Sequence, residues 1–294
     1  MNNWQSSGFL FIAILFAMML GAGIFAWSQA PVFQDEFNGA QLDVAKWNTS
    51  FPSGRTERQF YATDAFQVKN GSLAIRAEER AMEGYAYTSG MLTTQGTFDF
   101  QYGCFEIRAQ VPKGQGLWPA FWLLPTSRSR WNEIDVFEIL GHQTDKVYLT
   151  NHWSSPTREL VSAKGSFEGP DFSEGFHTFA VDWQPTEIIW YVDGVERFRS
   201  TQGVPDEPMF LLVNLAVGGQ WPGDPDATTP LPSELLIDYV RVYRDGCASP
   251  IRCWLQVGAA SACPVTRSPK KAGQPSFFMK SVETPRQRRV SQHF

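Results

Sequence analysis

Between Val32 and about Arg244 the apolar positions fall in short runs, several of them alternating with polar residues and parted by Gly, Pro, Asn and Asp. "SLAIRAEE", "CFEIRAQV", "KVYLTNHW", "HTFAVDW", "IIWYVDG" and "LLIDYVRVY" are examples. A period of two belongs to a strand with one face on a core, because successive side chains leave a strand on opposite sides. Repeated short strands with turn signals, and no long amphipathic helix between them, predict an all-β sandwich or jelly roll. No internal repeat suggests a solenoid.

One run breaks the alternation. "WNEIDVFEILG", residues 131 to 141, places Glu133, Asp135 and Glu138 in an otherwise apolar segment. As a helix, Asp135 and Glu138 would be neighbours at i, i+3. The short length, the Ile, Val and Phe content, Pro125 upstream and Gly141 at the close favour a buried strand. In a regular strand Glu133 and Asp135 share a face and Glu138 points the other way. A β-bulge between Asp135 and Glu138 inserts one residue, resets the parity and brings all three acids to one face. The alternative is an exposed edge strand whose acids only keep it soluble, but Ile134, Val136 and Phe137 require a buried opposite face.

Carboxyl pairs on one face suit glycoside hydrolysis. One attacks the anomeric carbon, the other protonates the leaving oxygen, and retention requires the two about 5 to 5.5 Å apart. Across four pleat steps the backbones are about 13 Å apart, a gap that two inward-leaning Glu side chains narrow. A charged Asp135 between them raises the proton affinity of its neighbours by like-charge repulsion, and so helps Glu138 serve as an acid at mild pH.

Composition agrees with a sugar cleft: aromatics make up 14% of the chain, with 11 Trp and 23 Phe, against 19% charged residues. Clustered Trp suits stacking on pyranose faces, while any single Phe is as readily a core residue. A net charge of −5 argues against nucleic acid as a partner. The chain of 294 residues is long enough for one large domain or two small ones.

The ends differ from the middle. Residues 1–30 form a nearly uncharged apolar run, Phe9 to Trp27, after a polar leader without Lys or Arg, and read as an export signal cut after Ser28 or as an uncleaved membrane anchor. The expected location is therefore secreted, extracellular or periplasmic, or anchored and facing outward. Residues 31–245 form the domain. Residues 246–294 carry eight basic side chains, from Arg252 to Arg289, against Glu283 alone, and read as a loosely ordered tail that either adheres to acidic polymers or is simply solvated. Among Cys104, Cys247, Cys253 and Cys263 the spacing is a poor zinc pattern, and a Cys247 link to Cys253 or Cys263 is the expected pairing.

"EIDVFE", with "DEFNGAQLDVAKW", "YTSGMLTTQGTFDFQYGCFEIRAQVPKGQGLWPAFWLLP", "FHTFAVDWQPTEIIWYVDG" and "NLAVGGQWPGDPDATTPLPSELLIDYVRVY", is similar to glycoside hydrolase family 16, the concanavalin-like jelly-roll glucanases and related galactanases. The resemblance covers nearly all of residues 32–244. It implies two antiparallel sheets, Glu133 as nucleophile, Glu138 as general acid/base and Asp135 as the assisting carboxylate. It implies sugar contacts at Trp118, Trp131, His152, Trp153, Asn214 and Trp221; Trp122 reads as core. No cofactor is needed for catalysis. A structural Ca²⁺ is implied at Glu36, the Gly71 carbonyl and Asp238, oxygen ligands that suit the ion.

Relatives that cleave laminarin carry Arg at the position of Met91 and Asn near the start of "SGRTERQFY", so Arg55, Arg58 and Met91 are departures at positions that line the cleft. A β-glucan with 1,3 or mixed 1,3-1,4 linkages is the first expectation for the substrate, and a galactan or bacterial exopolysaccharide the second. Endo-acting hydrolysis, transglycosylation and non-catalytic carbohydrate binding all stand as readings of the site, with a polysaccharide as partner and the chain a monomer.

Overall fold

A computed structural model describes residues 30–53, 56–127 and 131–247. The export segment, Arg55 and the tail beyond Cys247 lie outside the described residues.

Sixteen strands occur among the described residues, with no helix. The first six are short: β1 Phe33–Asp35, β2 Gln59–Tyr61, β3 Phe66–Lys69, β4 Ser72–Ala77, β5 Tyr87–Ser89 and β6 Met91–Thr93. The central five are β7 Gly103–Gln110, β8 Leu117–Pro125, β9 Asn132–Leu140, β10 Gln143–Ser154 and β11 Leu160–Glu168. The last five are β12 His177–Gln184, β13 Glu187–Val192, β14 Val195–Ser200, β15 Met209–Val217 and β16 Ser233–Tyr243. They build an eight-stranded sheet, β14-β13-β12-β7-β16-β4-β3 with β1 added on β16, and a six-stranded sheet, β11-β10-β9-β8-β15-β6. Both are antiparallel throughout, as the alternating pattern predicts; β2 and β5 form a small parallel pair outside them. The architecture is a jelly-roll sandwich.

Alternation decides which side chains fill the space between the sheets. From β7 come Phe105, Ile107 and Ala109, from β12 Phe179, Val181 and Trp183, and from β15 Leu211, Val213 and Leu215, all buried in one cluster. Each large side chain so buried contributes about 1.5–3 kcal/mol, which makes the register of every strand expensive to shift by one residue.

β9 shows the predicted irregularity. Glu138 faces Tyr148 and Asp135 faces Thr150, three residues opposite two. On the other edge Phe137 faces Phe121 and Asp135 faces Trp122, two steps opposite one. Val136 and Phe137 are both fully buried, so two successive side chains enter the core and the alternation resets. From the opposite sheet the indole N–H of Trp190 crosses the core and donates to the Asp135 main-chain carbonyl at 2.8 Å. A bulge disturbs local ladder pairing, and a buried donor aimed at the residue that precedes it stabilises the kinked backbone.

The cysteine pairing differs from expectation. Cys104 is joined to Cys247, 143 positions away. Cys104 pairs in register with Tyr243 across β7 and β16, so the chain leaving β16 passes the start of β7 four residues later. Sequence proximity favoured a local pairing; strand adjacency brings together two cysteines far apart in the chain.

Candidate active site

The outer face of the six-stranded sheet carries the acids. Because of the bulge, Ile134, Val136, Phe137 and Ile139 point inward and Glu133, Asp135 and Glu138 point outward. Three rows of facing residues cross the strands. Glu133 lies opposite His152, which faces Ser162; Asp135 lies between Trp122 and Thr150; Glu138 lies between Ala120 and Tyr148, with Asn214 beyond Ala120. The small Ala120 keeps the floor low beside Glu138.

Hydrogen bonds fix the outer-face side chains. Trp118 Nε1 donates to Glu138 Oε1 at 3.2 Å. The neighbouring Glu133 and Asp135 carboxyls interact, which raises the proton affinity of Glu133 and lowers that of Asp135. Asp135 Oδ2 makes no hydrogen bond of good geometry, yet lies 3.3 Å from His152 Nε2. His152 Nδ1 is 2.6 Å from Ser162 Oγ. With a proton on Nε2 facing the Asp135 carboxyl, Nδ1 accepts from the Ser162 hydroxyl, so Ser162 fixes both the ring and its tautomer.

Burial dominates the electrostatics. It raises the proton affinity of Glu133 well above the usual carboxyl value, with the Asp135 charge adding to it. Asp135 is raised by burial and then by Glu138. Glu138 is pushed up to about 8 by burial and then by the Glu133 charge. Repulsion from Asp135 was the expected cause, but removal from water is the larger one and the charge acting on Glu138 is that of Glu133. Lys164, opposite Thr150 on β11, opposes the rise at both Asp135 and Glu138. Burial holds His152 below its ordinary value, so the ring is neutral at neutral pH.

Donor atoms of Glu133, Asp135 and His152 lie within 4.8 Å of one another, a spacing that three ligands of one cation also have. The raised proton affinity of both carboxyls works against a metal, which needs them ionised.

Aromatic residues flank the acids. Trp118 meets Trp221 edge to face at 5.2 Å, and Trp221 meets Tyr148 at 4.9 Å. Trp221 is 41% exposed, a large apolar surface left open beside Glu138. On the other side Trp122 Nε1 donates to Asn214 Oδ1 at 2.8 Å and Asn214 Nδ2 to the Tyr61 hydroxyl at 3.2 Å. Trp131 precedes β9 with the parity of Glu133, half-buried, and its carbonyl accepts from Ser154 N–H at 2.8 Å.

Two expectations change. Trp122 was read as core, but its parity with Trp118 puts it on the outer face, where it packs with Tyr61, Met91, Phe210 and Leu212. Trp153 follows His152, so its side chain leaves β10 on the opposite side and lies against Gly203, where a Cβ would stand 2.0 Å from the ring. It is not brought to the acids. Tyr148 and Ser162 were missed; Tyr148 shares the parity of His152 in "KVYLTNHW", and that period was the available signal.

Around Glu36, Gly71 and Asp238 the register is informative. β4 pairs β16 as far as Leu73↔Ile237 and β1 begins at Asp35↔Val240, so the three residues meet where β1 and β4 abut along β16. Glu36 is held by Arg241 through two bonds of 2.7 Å, and Asp238 Oδ2 is bound by Arg108.

A match to the glycosyl hydrolases family 16 spans residues 53–241. The endo-1,3-1,4-beta-glycanase ExsH of Rhizobium meliloti (strain 1021) is 39% identical over 242 residues, 73% of this chain and 51% of that protein. A beta-glucanase of Rhodothermus marinus is 35% identical over 275 residues, 82% of this chain and 94% of that protein. The laminarinase catalytic domain of Thermotoga maritima MSB8 has a TM-score of 0.67 at 37% identity and covers 74% of this chain and 98% of its own. The protein is a glycoside hydrolase. It belongs to the glycosyl hydrolases family 16. The chain spans about half the length of ExsH and nearly all of the Rhodothermus enzyme.

A pH prediction follows from Glu138. Folding pushes its pKa up from the ordinary carboxyl value of 4.5 to about 8. The folded state therefore holds a proton that the unfolded chain releases above pH 4.5, and stability falls as pH rises through this window. Glu138→Gln removes the titration. The variant is expected to melt above the wild type at pH 8, with the gap closing toward pH 4.5, in calorimetry across that range; a gap independent of pH would contradict the assignment.

Proposed function

We propose that the chain is an endo-acting hydrolase of a β-glucan, with 1,3 or mixed 1,3-1,4 linkages, working with retention of configuration. The observation that carries this is the bulge at Val136–Phe137, which puts Glu133, Asp135 and Glu138 on one face. The names of ExsH and of the Rhodothermus and Thermotoga enzymes support the glucan.

Glu138 keeps its proton near neutral pH and gives it to the leaving oxygen. Glu133 attacks the anomeric carbon from the other side. The interaction between Glu133 and Asp135 raises the proton affinity of Glu133 and lowers that of Asp135, so in the resting site the proton between them sits on Glu133. For attack that proton passes to Asp135, which leaves Glu133 as the anion beside it. Developing positive charge at the anomeric carbon favours this arrangement. Glu138, now a base, activates the water that releases the glycosyl enzyme. His152, oriented by Ser162, stands 3.3 Å from Asp135. Trp118, Trp131 and Trp221 offer ring faces to the sugar chain, while Asn214, buried and bound by Trp122 and Tyr61, holds the Trp122 ring in place.

Export rests on the leader, and the disulfide between Cys104 and Cys247 supports an oxidising compartment. A structural calcium ion at the β1–β4 junction is also part of the proposal. Arginines hold the Glu36 carboxylate and Asp238 Oδ2, which leaves Asp238 Oδ1 and main-chain carbonyls, those of Glu36 and Gly71, as donors that suit the ion. Calcium should then raise Tm over a chelated sample in the wild type but not in Asp238→Asn; equal melting of the wild type with and without calcium would remove the ion.

For the reaction, Glu133→Gln is expected to lose at least about a thousandfold in kcat while still binding glucan. The check is release of reducing ends from laminarin, mixed-linkage glucan, agarose, carrageenan and a bacterial exopolysaccharide, with added acceptor sugar to detect transfer. Wild-type cleavage confined to the galactans, or undiminished activity of the variant, would overturn the proposal.

A further inference from the structure

The loop from Gly218 to Asp224 leaves the end of β15 and carries Trp221, the exposed ring beside Trp118 and Tyr148. Its support is unusual. An open surface pocket of about 350 Å³ is lined by Thr56, Arg58, Gly219, Gln220 and Asp224. Two of these lining residues, Arg58 and Asp224, form an ion pair that ties the loop to the segment before β2. Arg58 Nε and Nη2 donate to Asp224 Oδ1 and Oδ2 at 2.9 and 3.1 Å, and the Gly219 N–H donates to the same Oδ1 at 3.2 Å. The aliphatic stem of Arg58 lies on Gly218, where a Cβ would stand 2.3 Å from Arg58 Cγ, so only glycine permits this approach.

The other side of the loop is tied to the segment before β8. Gln115 Nε2 donates to the Pro222 carbonyl at 2.8 Å, and Gly218 N–H to the Gly116 carbonyl at 2.7 Å. Arg58 and Asp224 are 166 positions apart, so their pairing is a tertiary fastening and not a local turn. Both side chains are more than half exposed, which limits what the pair adds to global stability. A two-bond Arg–carboxylate pair nonetheless fixes geometry, and here it fixes the one segment that presents Trp221. Arg58, which the sequence marks as a departure at a cleft-lining position, thus spends its guanidinium on Asp224.

We propose that the Arg58–Asp224 ion pair sets the position of Trp221, and so determines how tightly this end of the cleft holds a pyranose ring. Arg58 and Asp224 are positioning residues: they act on the sugar through Trp221. This rests on the reading of Trp221 as a sugar platform.

The test uses Arg58→Ala, Asp224→Ala and the double variant, each with Trp221 present and with Trp221→Ala. Amide hydrogen exchange reports the loop, and KM and kcat on the glucan cleaved by the wild type report the cleft. Exchange over residues 218–224 should quicken about tenfold in either single variant with Tm unchanged. KM should rise about threefold to tenfold with kcat within about twofold, the double variant should be no worse than either single one, and the KM effect should vanish without Trp221. Unchanged exchange in the loop would overturn the fastening. A KM rise that persists in the Trp221→Ala background, or no KM rise at all, would overturn its role in binding. A wild type inert toward every glucan would instead count against the glucanase reading, while hydrogen exchange would still decide whether the ion pair holds the loop.

Discussion

The register shift in β9, where Val136 and Phe137 both turn into the core, is the constraint from which the site follows. With regular alternation Glu138 would take a core position and Phe137 an outer one. The cost of burying a carboxyl without a partner and exposing a phenyl ring excludes that register. The bulge satisfies both sides at once: four apolar residues fill the core while three acids share the outer face. Trp190 reaches across the sandwich to the carbonyl of Asp135, so the packing of the opposite sheet is coupled to the kink that orients the acids.

Burial sets the chemistry in the same place. Three carboxyls with few solvent-facing neighbours cannot all be ionised, and their raised proton affinities destabilise the fold above the ordinary carboxyl range. The core between the sheets offsets that cost. Function and stability are therefore opposed in β9, as is common where a site depends on perturbed groups. The loop bearing Trp221 shows the other kind of compromise: an exposed aromatic surface held by polar fastenings at the edge of the sheet.

Much of this was legible in the sequence because period two is a local signal. The alternating runs mark the strands, and the misplaced parity of Glu138 marks the bulge. Trp122 and Trp153 show where the alternation was not followed through: Trp122 was read as core and Trp153 as a sugar contact. Parity with Trp118 and with His152 would have placed both. What could not be read were pairings set by strand order. Cys104 meets Cys247 because β7 lies beside β16, and Arg58 meets Asp224 because the segment before β2 runs against the end of β15. No spacing in the chain encodes either meeting.

The central claim is that the bulge brings Glu133 and Glu138 close enough to act on one glycosidic bond from opposite sides. Stereochemistry measures this directly, since retention needs carboxyls about 5 to 5.5 Å apart and inversion needs about 6.5–9.5 Å. Proton NMR during the first minutes of glucan cleavage, before mutarotation, should show the β anomer of the new reducing end appearing first. An initial α anomer would mean that the two glutamates stand too far apart, and would contradict the account.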